Sequence, residues 1–314
     1  MFFQPANSRL GPELERDKKT PNFLIIGAEK AGTTWLHDVL RAHPDLFLPD
    51  VKEVHFFNKY DSNGCVTDNF ESRGTGWYFA HFAAARQGQL VGEATPMYLC
   101  DPEAPQRVAD TLPNARFIVV LRDPVSRAWS HFRMARAKSH VVVEMDDLIA
   151  AQDPRFLGRG LYAAQLARWF RQFPPERFLL LFFEEVMREP CSALIRVADW
   201  LGVDAAPLLT GTPEKVRNAA TAYRSARFYN YSVRGARLLR QARATRGLAA
   251  YLKASGLYEV LKRANRKPHD TLEFTAAQQQ ALTRFYREDR AALANMIGTS
   301  HLPWSGIGGR HETN

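Results

Sequence analysis

An apolar run near the start of the chain passes directly into a turn of small residues and then into an amphipathic helix. Residues 23–36 read Phe-Leu-Ile-Ile-Gly-Ala-Glu-Lys-Ala-Gly-Thr-Thr-Trp-Leu. The apolar run predicts a buried strand, and the pattern from Thr33 onward predicts a helix. Such a strand-to-helix turn can hold an anion, because free N–H groups and the positive end of the helix dipole meet there. Lys30 lies inside the turn and can reach the same anion.

The spacing of this turn differs from that of an ATP-binding P-loop. Gly27 and Gly32 fit the first part of that pattern, but the next residues should be Lys and then Ser or Thr. Thr33 and Thr34 stand there instead, and Lys30 comes two residues before the second glycine. The hydroxyl that would hold magnesium beside a following lysine is therefore out of register. We expect the turn to bind a phosphate without the magnesium site of a kinase.

A second strand-to-helix turn lies far along the chain. Residues 117–130 read Phe-Ile-Val-Val-Leu-Arg-Asp-Pro-Val-Ser-Arg-Ala-Trp-Ser. The β-branched run predicts a strand, Pro124 suits the first turn of a helix, and Asp123 suits its N-cap. Arg122 then lies at the carboxyl end of the strand, and Ser130 lies nearly two turns into the helix. A guanidinium fork and a hydroxyl in these places can hold a phosphate.

Strand and helix patterns alternate along the chain, which predicts an α/β fold. Predicted strands cover 23–27, 90–92, 117–121 and 178–183, and predicted helices cover 34–42, 125–137, 161–173, 190–201 and 275–297. This alternation is typical of a mostly parallel central sheet flanked by helices on both faces. Ligands of such sheets bind beyond the carboxyl ends of the strands, so both turns are expected at one edge. With 314 residues, 46% of them apolar, the chain can build one large core.

The segment Lys30-Ala31-Gly32-Thr33-Thr34-Trp35 resembles the 5′-phosphosulfate loop of the sulfotransferases that use PAPS, 3′-phosphoadenosine 5′-phosphosulfate. Arg122 and Ser130 stand in a pattern similar to the 3′-phosphate site of the same family. The resemblance implies the family's α/β fold with a P-loop-like phosphosulfate turn, PAPS as the cofactor and PAP as its product. It also implies that no metal is needed and that Trp35 stands where cytosolic members stack an aromatic ring on the adenine.

Residues 52–57, Lys-Glu-Val-His-Phe-Phe, resemble a segment of the carbohydrate sulfotransferases, including heparan sulfate enzymes, in which the glutamate is the proposed general base. Sulfuryl transfer requires the acceptor to lose a proton. A carboxylate whose pKa is raised by a partly apolar site can take it, and Glu53 is the predicted base. On an extended segment His55 points to the same side. His55 is therefore predicted to orient Glu53 or the acceptor, or to serve as the base itself. Lys30 is the predicted catalytic cation.

Several positions differ from the family's pattern. Ala94 stands where heparan sulfate enzymes have a lysine, and Asn58 stands where they often have an aspartate after the two phenylalanines. Phe183 replaces a tyrosine that cytosolic members carry near the adenine. The family's Lys-Gly-Arg segment near the C-terminus has no counterpart, and Arg217 is the candidate for that part of the 3′-phosphate site. These differences argue against a heparan sulfate-type acceptor more than against the cofactor.

The chain is predicted to form a flexible segment 1–20, one domain over 21–304 and a flexible tail 305–314. Within the domain, residues 224–267 hold twelve Lys or Arg residues and one acidic residue, so this segment supplies the whole excess behind the net charge of +9. It predicts a basic helical lid over the acceptor cleft or, equally, a solvated arginine-rich face. Contact of an amphipathic helix with a membrane surface stays open. Nucleic acid is not an expected partner, because no nucleic-acid-binding module is recognisable.

The cysteines and the apolar runs indicate the cellular compartment. The three cysteines, Cys65, Cys100 and Cys191, are scattered along the chain, which argues against a disulfide framework and favours a reducing compartment. No apolar stretch reaches membrane-spanning length, and residues 1–22 contain no signal-peptide core. These features favour a soluble, cytoplasmic protein.

The sequence therefore predicts a PAPS-dependent sulfotransferase. It would move the sulfuryl group to a hydroxyl or amine of a small-molecule or carbohydrate acceptor by in-line transfer. A nucleotide-dependent kinase is an alternative, which the register of Lys30 disfavours. A non-catalytic protein that binds an anionic ligand is another alternative, which the presence of Glu53 disfavours. Neither the acceptor nor the oligomeric state follows from the sequence.

Overall fold

A central sheet of five strands, all paired in parallel, organises the described residues. The computed structural model describes residues 19–61, 64–138, 144–210 and 272–304. The strand order is β2-β3-β1-β4-β5. The strands are β1 (Phe23–Gly27), β2 (Leu46–Phe47), β3 (Leu90–Ala94), β4 (Arg116–Leu121) and β5 (Phe178–Phe182). The predicted α/β fold with a mostly parallel sheet is confirmed.

Helices flank this sheet. They are α1 (Thr33–Arg41), α2 (Asn69–Ala80), α3 (Ala104–Thr111), α4 (Pro124–Lys138), α5 (Met145–Ala150), α6 (Tyr162–Phe170), α7 (Phe183–Arg188), α8 (Pro190–Leu201), α9 (Ala206–Thr210) and α10 (Ala276–Ile297). Short 3-10 turns lie at Pro96–Tyr98, Gly158–Gly160 and Pro175–Arg177. Of the helices in the described ranges, none has both the length and the apolar character needed to cross a bilayer.

The differences from the predicted elements have local causes. α2 is absent from the prediction because Gly74 and Gly76 interrupt its apolar periodicity, and Gly74, with φ 71°, divides the helix by a kink. β2 has only two residues, which is too short for a periodic signal. Phe183 begins α7 and does not end the preceding strand, so its side chain is presented by a helix N-terminus.

The central position of β1 determines where the functional segments lie. β1 pairs with β3 on one side and with β4 on the other, and its residues are buried. Parallel strands end on the same side, so the turns after β1, β3 and β4 emerge at one edge of the sheet. The close approach of β1 and β3 requires a glycine, because a Cβ atom at Gly92 would lie 2.2 Å from the Phe23 ring.

The C-terminal helix α10 packs on α4, α5 and α6. A second apolar cluster, which includes Val125, Leu148 and Tyr286, fills this interface. The Asp289 carboxylate accepts hydrogen bonds from the N–H groups of Ala163 and Ala164 at 3.1 and 3.2 Å, which caps the N-terminus of α6. The last helix is therefore part of the same packed body as the sheet.

Some of the predicted boundaries fall outside the described residues. Residues 1–18, the tail 305–314 and the basic segment 224–267 are among them. The domain limits and the lid therefore stay predictions. The three cysteines lie within the described ranges and all are free thiols.

We expect Gly92→Ala to destabilise the protein, because the added methyl group overlaps the Phe23 ring inside the sheet. Overpacking of this kind lowers the free energy of unfolding by about 1–3 kcal/mol or more. Gly76→Ala is the matched control, since a Cβ atom there meets no heavy atom within 4 Å. It should raise the free energy of unfolding by up to about 1 kcal/mol through helix propensity. Urea unfolding of both variants measures the difference, and equal effects would contradict the close β1–β3 packing.

Candidate active site

The turns at the carboxyl edge of the sheet enclose an open cleft with about 670 Å³ of atom-free space. It lies beside the turn after β1, the segment that precedes α2, the turn after β3 and the first half of α4. Its lining residues are Glu29, Lys30, Gly32, Thr33, Thr34, Lys52, Glu53, Pro96, Arg122, Ser130 and Met134. Most of the predicted site residues therefore meet in one place, although they come from distant parts of the sequence.

The turn after β1 ends in an open helix N-terminus. α1 begins at Thr33, its N-cap residue Gly32 has φ 83°, and no side chain caps the helix. The first N–H groups of α1 are therefore directed at the cleft and suit an anion. Gly32 is required here, because its φ is left-handed and an added Cβ would lie 3.1 Å from the Phe183 ring.

Arg122 connects the β4 turn to the β1 turn. Its Nη1 donates a hydrogen bond to the Lys30 carbonyl oxygen at 3.1 Å, and its guanidinium lies 4.7 Å from the centre of the Phe183 ring. Its Nε is buried and has no hydrogen-bond partner. A buried donor without a partner is costly, so this atom indicates a place for an acceptor that comes from a ligand.

The first half of α4 forms the wall opposite the β1 turn. Asp123 caps α4, since its Oδ2 accepts a hydrogen bond from the Ser126 N–H at 3.1 Å, as predicted. Ser130 and Met134 lie one turn apart on this helix and both line the cleft. The Met134 sulfur lies 3.4 Å from the Lys30 Nζ, which places the predicted catalytic cation between the turn and α4.

An apolar pocket lies next to the β1 turn. Trp35 and Phe183 both line it, together with Leu36, Val186 and Leu194. Trp35 is buried, with 8% of its surface exposed, so it packs α1 against the sheet as well as lining the pocket. These side chains fill the pocket closely and leave room for about one water molecule.

Glu29 precedes Lys30 in the turn and is neutralised by a long-range ion pair. Its Oε2 lies 2.5 Å from the Arg159 Nη1, and both side chains are largely buried. Burial works to raise the pKa of the Glu29 carboxyl, but the charges of Arg159 and Arg127 outweigh burial and lower it. The acidic residue in the turn therefore stays ionised without presenting an uncompensated negative charge to the cleft.

Glu53 lies between two basic side chains. The Lys52 Nζ forms an ion pair with Glu53 Oε1, and the His55 Nε2 lies 3.6 Å from Glu53 Oε2. Burial alone raises the pKa of the Glu53 carboxyl, but the bond with His55 and the charge of Lys52 outweigh burial and lower the pKa to about 2. The predicted rise in the Glu53 pKa is therefore wrong, because the site places cations beside the carboxylate.

His55 has the opposite shift. Burial lowers the pKa of its imidazole, but the hydrogen bond and charge of Glu53 outweigh burial and raise the pKa above the usual 6.5. On the other side of the ring, the His55 Nδ1 lies 3.2 Å from the Asn58 Oδ1. The Asn58 Nδ2 donates to the Tyr60 carbonyl oxygen at 2.7 Å, which fixes the orientation of the amide. Both ring nitrogens of the imidazolium therefore face acceptor oxygens, Nδ1 that of Asn58 and Nε2 that of Glu53.

Left-handed backbone conformations concentrate in this cleft. In the described ranges, the non-glycine residues with positive φ are Lys30 (71°), Glu53 (65°), His55 (54°), Asp68 (27°) and Gln152 (46°). The first three are the predicted catalytic residues, and such strain costs about 1–3 kcal/mol per residue and clusters at functional sites. Glu53 and His55 share one side because of these two left-handed residues, whereas the prediction relied on an extended segment.

A buried carboxylate that the sequence reasoning did not use lies behind this segment. Glu93 on β3 is 0% exposed, and its carboxylate accepts hydrogen bonds from Tyr78 Oη at 2.9 Å and Thr95 Oγ1 at 3.3 Å. Burial raises the pKa of the Glu93 carboxyl to about 7, although the hydroxyl hydrogen bonds work to lower it. Phe56 and Phe57, which follow the candidate base, are fully buried, as predicted.

The sequence reasoning missed Glu29, Lys52, Pro96 and Met134 as lining residues. Glu29 and Lys52 stand next to predicted catalytic residues inside the motifs, so their charge was an available signal. Helical spacing from Ser130 could have found Met134. Arg159 lies 130 residues from its partner Glu29, and no local pattern points to it.

The remaining predicted positions cannot be placed in the cleft. Arg217 lies outside the described residues, so its role stays a prediction. Ala31 is buried within the turn. Ala94 ends β3, and its carbonyl oxygen accepts a hydrogen bond from the Glu53 N–H at 3.0 Å. Within the described ranges no group of three or more His, Cys, Asp or Glu side chains is arranged to hold a metal ion.

The chain is similar to known proteins over most of the described region. The family described as "Sulfotransferase domain" matches residues 20–232. Heparan sulfate glucosamine 3-O-sulfotransferase 6 of Mus musculus is 33% identical over 199 residues, which cover 59% of this chain and 53% of that protein. Membrane-associated sulfotransferase kil1 of Dictyostelium discoideum is 38% identical over 118 residues, which cover 37% of this chain and 23% of that protein. The chain spans about half the length of the first of these relatives and less of the second.

A solved structure has the same architecture. The sulfotransferase from Alicyclobacillus acidocaldarius superposes with a TM-score of 0.61 and 25% sequence identity, over 90% of this chain and 97% of that chain. The family match, which covers more than half of the chain, includes the β1 turn, Glu53 and Arg122. The protein therefore belongs to the sulfotransferase family.

Proposed function

We propose that the protein transfers the sulfuryl group of PAPS to a hydroxyl group, or to an amine, of a carbohydrate or small-molecule acceptor. The observation that carries this proposal is the meeting of the Lys30 turn, Arg122 and Glu53 in one cleft, with His55 beside Glu53. The first two suit a nucleotide with phosphates at two positions, and the pair suits an acceptor that must lose a proton. Membership of the sulfotransferase family supports the same reaction.

The residues of the cleft fit PAPS. The open N-terminus of α1, with Lys30, Thr33 and Thr34, would hold the 5′-phosphosulfate. Arg122, whose Nε is buried without a partner, and Ser130 would hold the 3′-phosphate. Trp35 and Phe183, which lie beside the turn, would border the adenine. The phosphate groups of the cofactor would therefore meet side chains of matching chemistry.

PAPS, when bound, supplies a sulfuryl group that is already activated as a mixed anhydride with phosphate. The protein then has to orient the acceptor, accept its proton and stabilise the charge on the leaving phosphate. Lys30 is the proposed cation at the leaving phosphate, since its Nζ is held in the cleft beside Met134. Glu53 is the proposed general base, and it lies across the same cleft.

Glu53 and His55 act as one proton-accepting pair. Because Glu53 and His55 are in contact, the two groups titrate together. The protonation step near neutral pH belongs to His55, whose pKa is raised. The pair takes the acceptor proton only after His55 has lost its own. The rate should therefore rise with pH through a pKa above 6.5, the ordinary value for histidine.

A carbohydrate is the acceptor class that the curated relatives favour, because their names include heparan sulfate glucosamine. Ala94 and Asn58 differ from the residues that the resemblance implies for heparan sulfate enzymes. We therefore propose that the acceptor is a hydroxyl group of a carbohydrate, and that heparan sulfate is not the sole carbohydrate accepted. A panel of labelled-sulfate transfer reactions with heparan sulfate, neutral oligosaccharides and phenols tests this, and transfer only to phenols would contradict it.

The nucleotide site predicts selectivity for a 3′-phosphate. PAP at 100 times its Kd should stabilise the protein by about 2.7 kcal/mol, whereas AMP at the same concentration should stabilise it less. Arg122→Ala should weaken PAP binding about 10- to 100-fold through the loss of charge-assisted hydrogen bonds. It should weaken AMP binding less, because Arg122 holds only the backbone of the β1 turn that would bind the 5′-phosphate. Arg155→Ala, which removes an exposed guanidinium, is the control. Thermal shift and calorimetry measure both effects, and stabilisation by ATP with magnesium but not by PAP would refute the assignment.

Lys30→Ala should reduce both binding and rate. Loss of a cation at the leaving phosphate lowers kcat by about 100- to 1,000-fold, by analogy with the removal of an oxyanion donor. Lys19→Ala is the control, because the Lys19 Nζ is exposed and donates to the Ala83 carbonyl oxygen. Initial rates of PAP release measure kcat. An unchanged rate in Lys30→Ala would mean that the turn is structural only.

Glu53→Gln should lower kcat by about 100- to 10,000-fold, the range for loss of a general base, without weakening PAP binding. It also removes the charge that raises the His55 pKa, so any remaining activity should show its acidic limb at lower pH than in the wild type. Glu176→Gln, at an exposed position, is the control for loss of one negative charge. Turnover at the wild-type rate in Glu53→Gln would transfer the role of the base to His55, and His55→Asn would then remove activity.

A further inference from the structure

The fully buried Glu93 lies directly behind the segment that carries Glu53 and His55, and the proposed mechanism does not use it. Its side chain is 0% exposed, as are those of Tyr78 and Tyr98. It is close enough to His55 for their charges to interact. Burial of a carboxyl group lowers the free energy of unfolding unless hydrogen bonds compensate, so its hydrogen-bond partners indicate why it is retained.

Three hydroxyl groups surround the Glu93 carboxylate. Tyr78 Oη donates to Oε1 at 2.9 Å and Thr95 Oγ1 donates to Oε2 at 3.3 Å. Tyr98, in the 3-10 turn after β3, also lies close enough to this carboxylate to interact with it. The three hydroxyl groups come from α2 and from both sides of Pro96, so the carboxylate joins α2 to the turn after β3.

The Tyr98 hydroxyl has a second task. It accepts a hydrogen bond from the Phe56 N–H at 3.1 Å. That bond occupies one lone pair of the hydroxyl oxygen and leaves the hydroxyl proton free to face the neighbouring Glu93 carboxylate. The Tyr98 hydroxyl therefore connects the surroundings of Glu93 to the backbone of Phe56.

A second bond anchors the other end of the same segment. The Glu53 N–H donates to the carbonyl oxygen of Ala94, the residue after Glu93, at 3.0 Å. Between these two bonds lie the left-handed residues Glu53 and His55, which would relax to other conformations if the segment were released. The end of β3 thus holds both ends of the strained segment.

We propose that Glu93 and Tyr98 are positioning residues of the transfer reaction, which hold the Glu53–His55 pair in register with the Lys30 turn. This inference rests on the proposed function, because it gives the pair a role in proton removal. A positioning role and a purely structural role predict different results. Loss of positioning lowers the rate of the chemical step and leaves the nucleotide site intact. The proposed nucleotide-binding residues lie on the β1 turn, α1, the β4 turn and α4, and Tyr98 is not among the residues that line the cleft.

Tyr98→Phe and Tyr78→Phe form a matched pair for the test. Each removes one hydroxyl from the same carboxylate and keeps the aromatic ring, but only Tyr98 also holds the Phe56 N–H. Tyr98→Phe should lower kcat by about 10- to 100-fold, the effect of a small misplacement of a reacting group, with an unchanged Kd for PAP. Tyr78→Phe should lower thermal stability and keep the wild-type kcat. PAP release from PAPS, with the acceptor that the wild type uses best in the panel above, measures kcat.

Each outcome separates the two hypotheses. Wild-type protein that releases no PAP with any acceptor refutes the proposed function and the inference with it. Active wild type together with wild-type kcat in Tyr98→Phe overturns the inference alone, and so does an equal loss of kcat in both Tyr variants. Should Tyr98→Phe not fold, Glu93→Gln decides, because it replaces one carboxyl oxygen with an amide N–H₂ group among the same hydroxyls and conserves the shape of the side chain. A lower kcat with an unchanged Kd for PAP supports positioning there, and an unchanged kcat refutes it.

Discussion

The parallel pairing of β1 with β3 on one side and β4 on the other is the constraint on which the cleft depends. It brings three strand ends to one edge, and each end carries a different chemical group. The β1 turn offers N–H groups and a lysine, the β4 turn offers Arg122, and the end of β3 anchors the segment with Glu53. A change in register by one residue would turn the side chains of a strand to the opposite face and separate these groups.

The carboxylates of the cleft are paired with basic side chains before any ligand enters. Glu29 is paired with Arg159, and Glu53 is paired with Lys52 and lies beside His55. The acidic residues that the site needs are therefore shielded from the anion that it is proposed to bind. This matters because unpaired carboxylates close to phosphate groups repel them strongly in a partly desolvated cleft. The same pairing explains why the Glu53 carboxyl has a low pKa, although it is largely buried.

The sequence was sufficient for features that depend on neighbouring residues. Long apolar runs predicted β1 and β4, and the glycine and proline residues that follow them predicted the two strand-to-helix turns that line the cleft. It was insufficient where contacts join distant residues, as between Glu29 and Arg159 or between Tyr78 and Glu93. The Glu53 pKa was predicted in the wrong direction for a related reason, since the positions of the Lys52 and His55 side chains follow from a left-handed backbone that no periodicity reveals. α2 escaped prediction because its glycines interrupt the apolar pattern.

The amide of Asn58 determines where a proton can leave His55. Its orientation is fixed by the Tyr60 carbonyl oxygen, so it offers His55 only an acceptor oxygen and has no basic site of its own. A carboxylate at this position would share the positive charge of the imidazolium and could draw a proton toward the protein interior. With an amide there, the nitrogen on the Asn58 side has no base to take its hydrogen. In the proposed mechanism the imidazole would therefore gain and lose its proton at Nε2, on the side of Glu53.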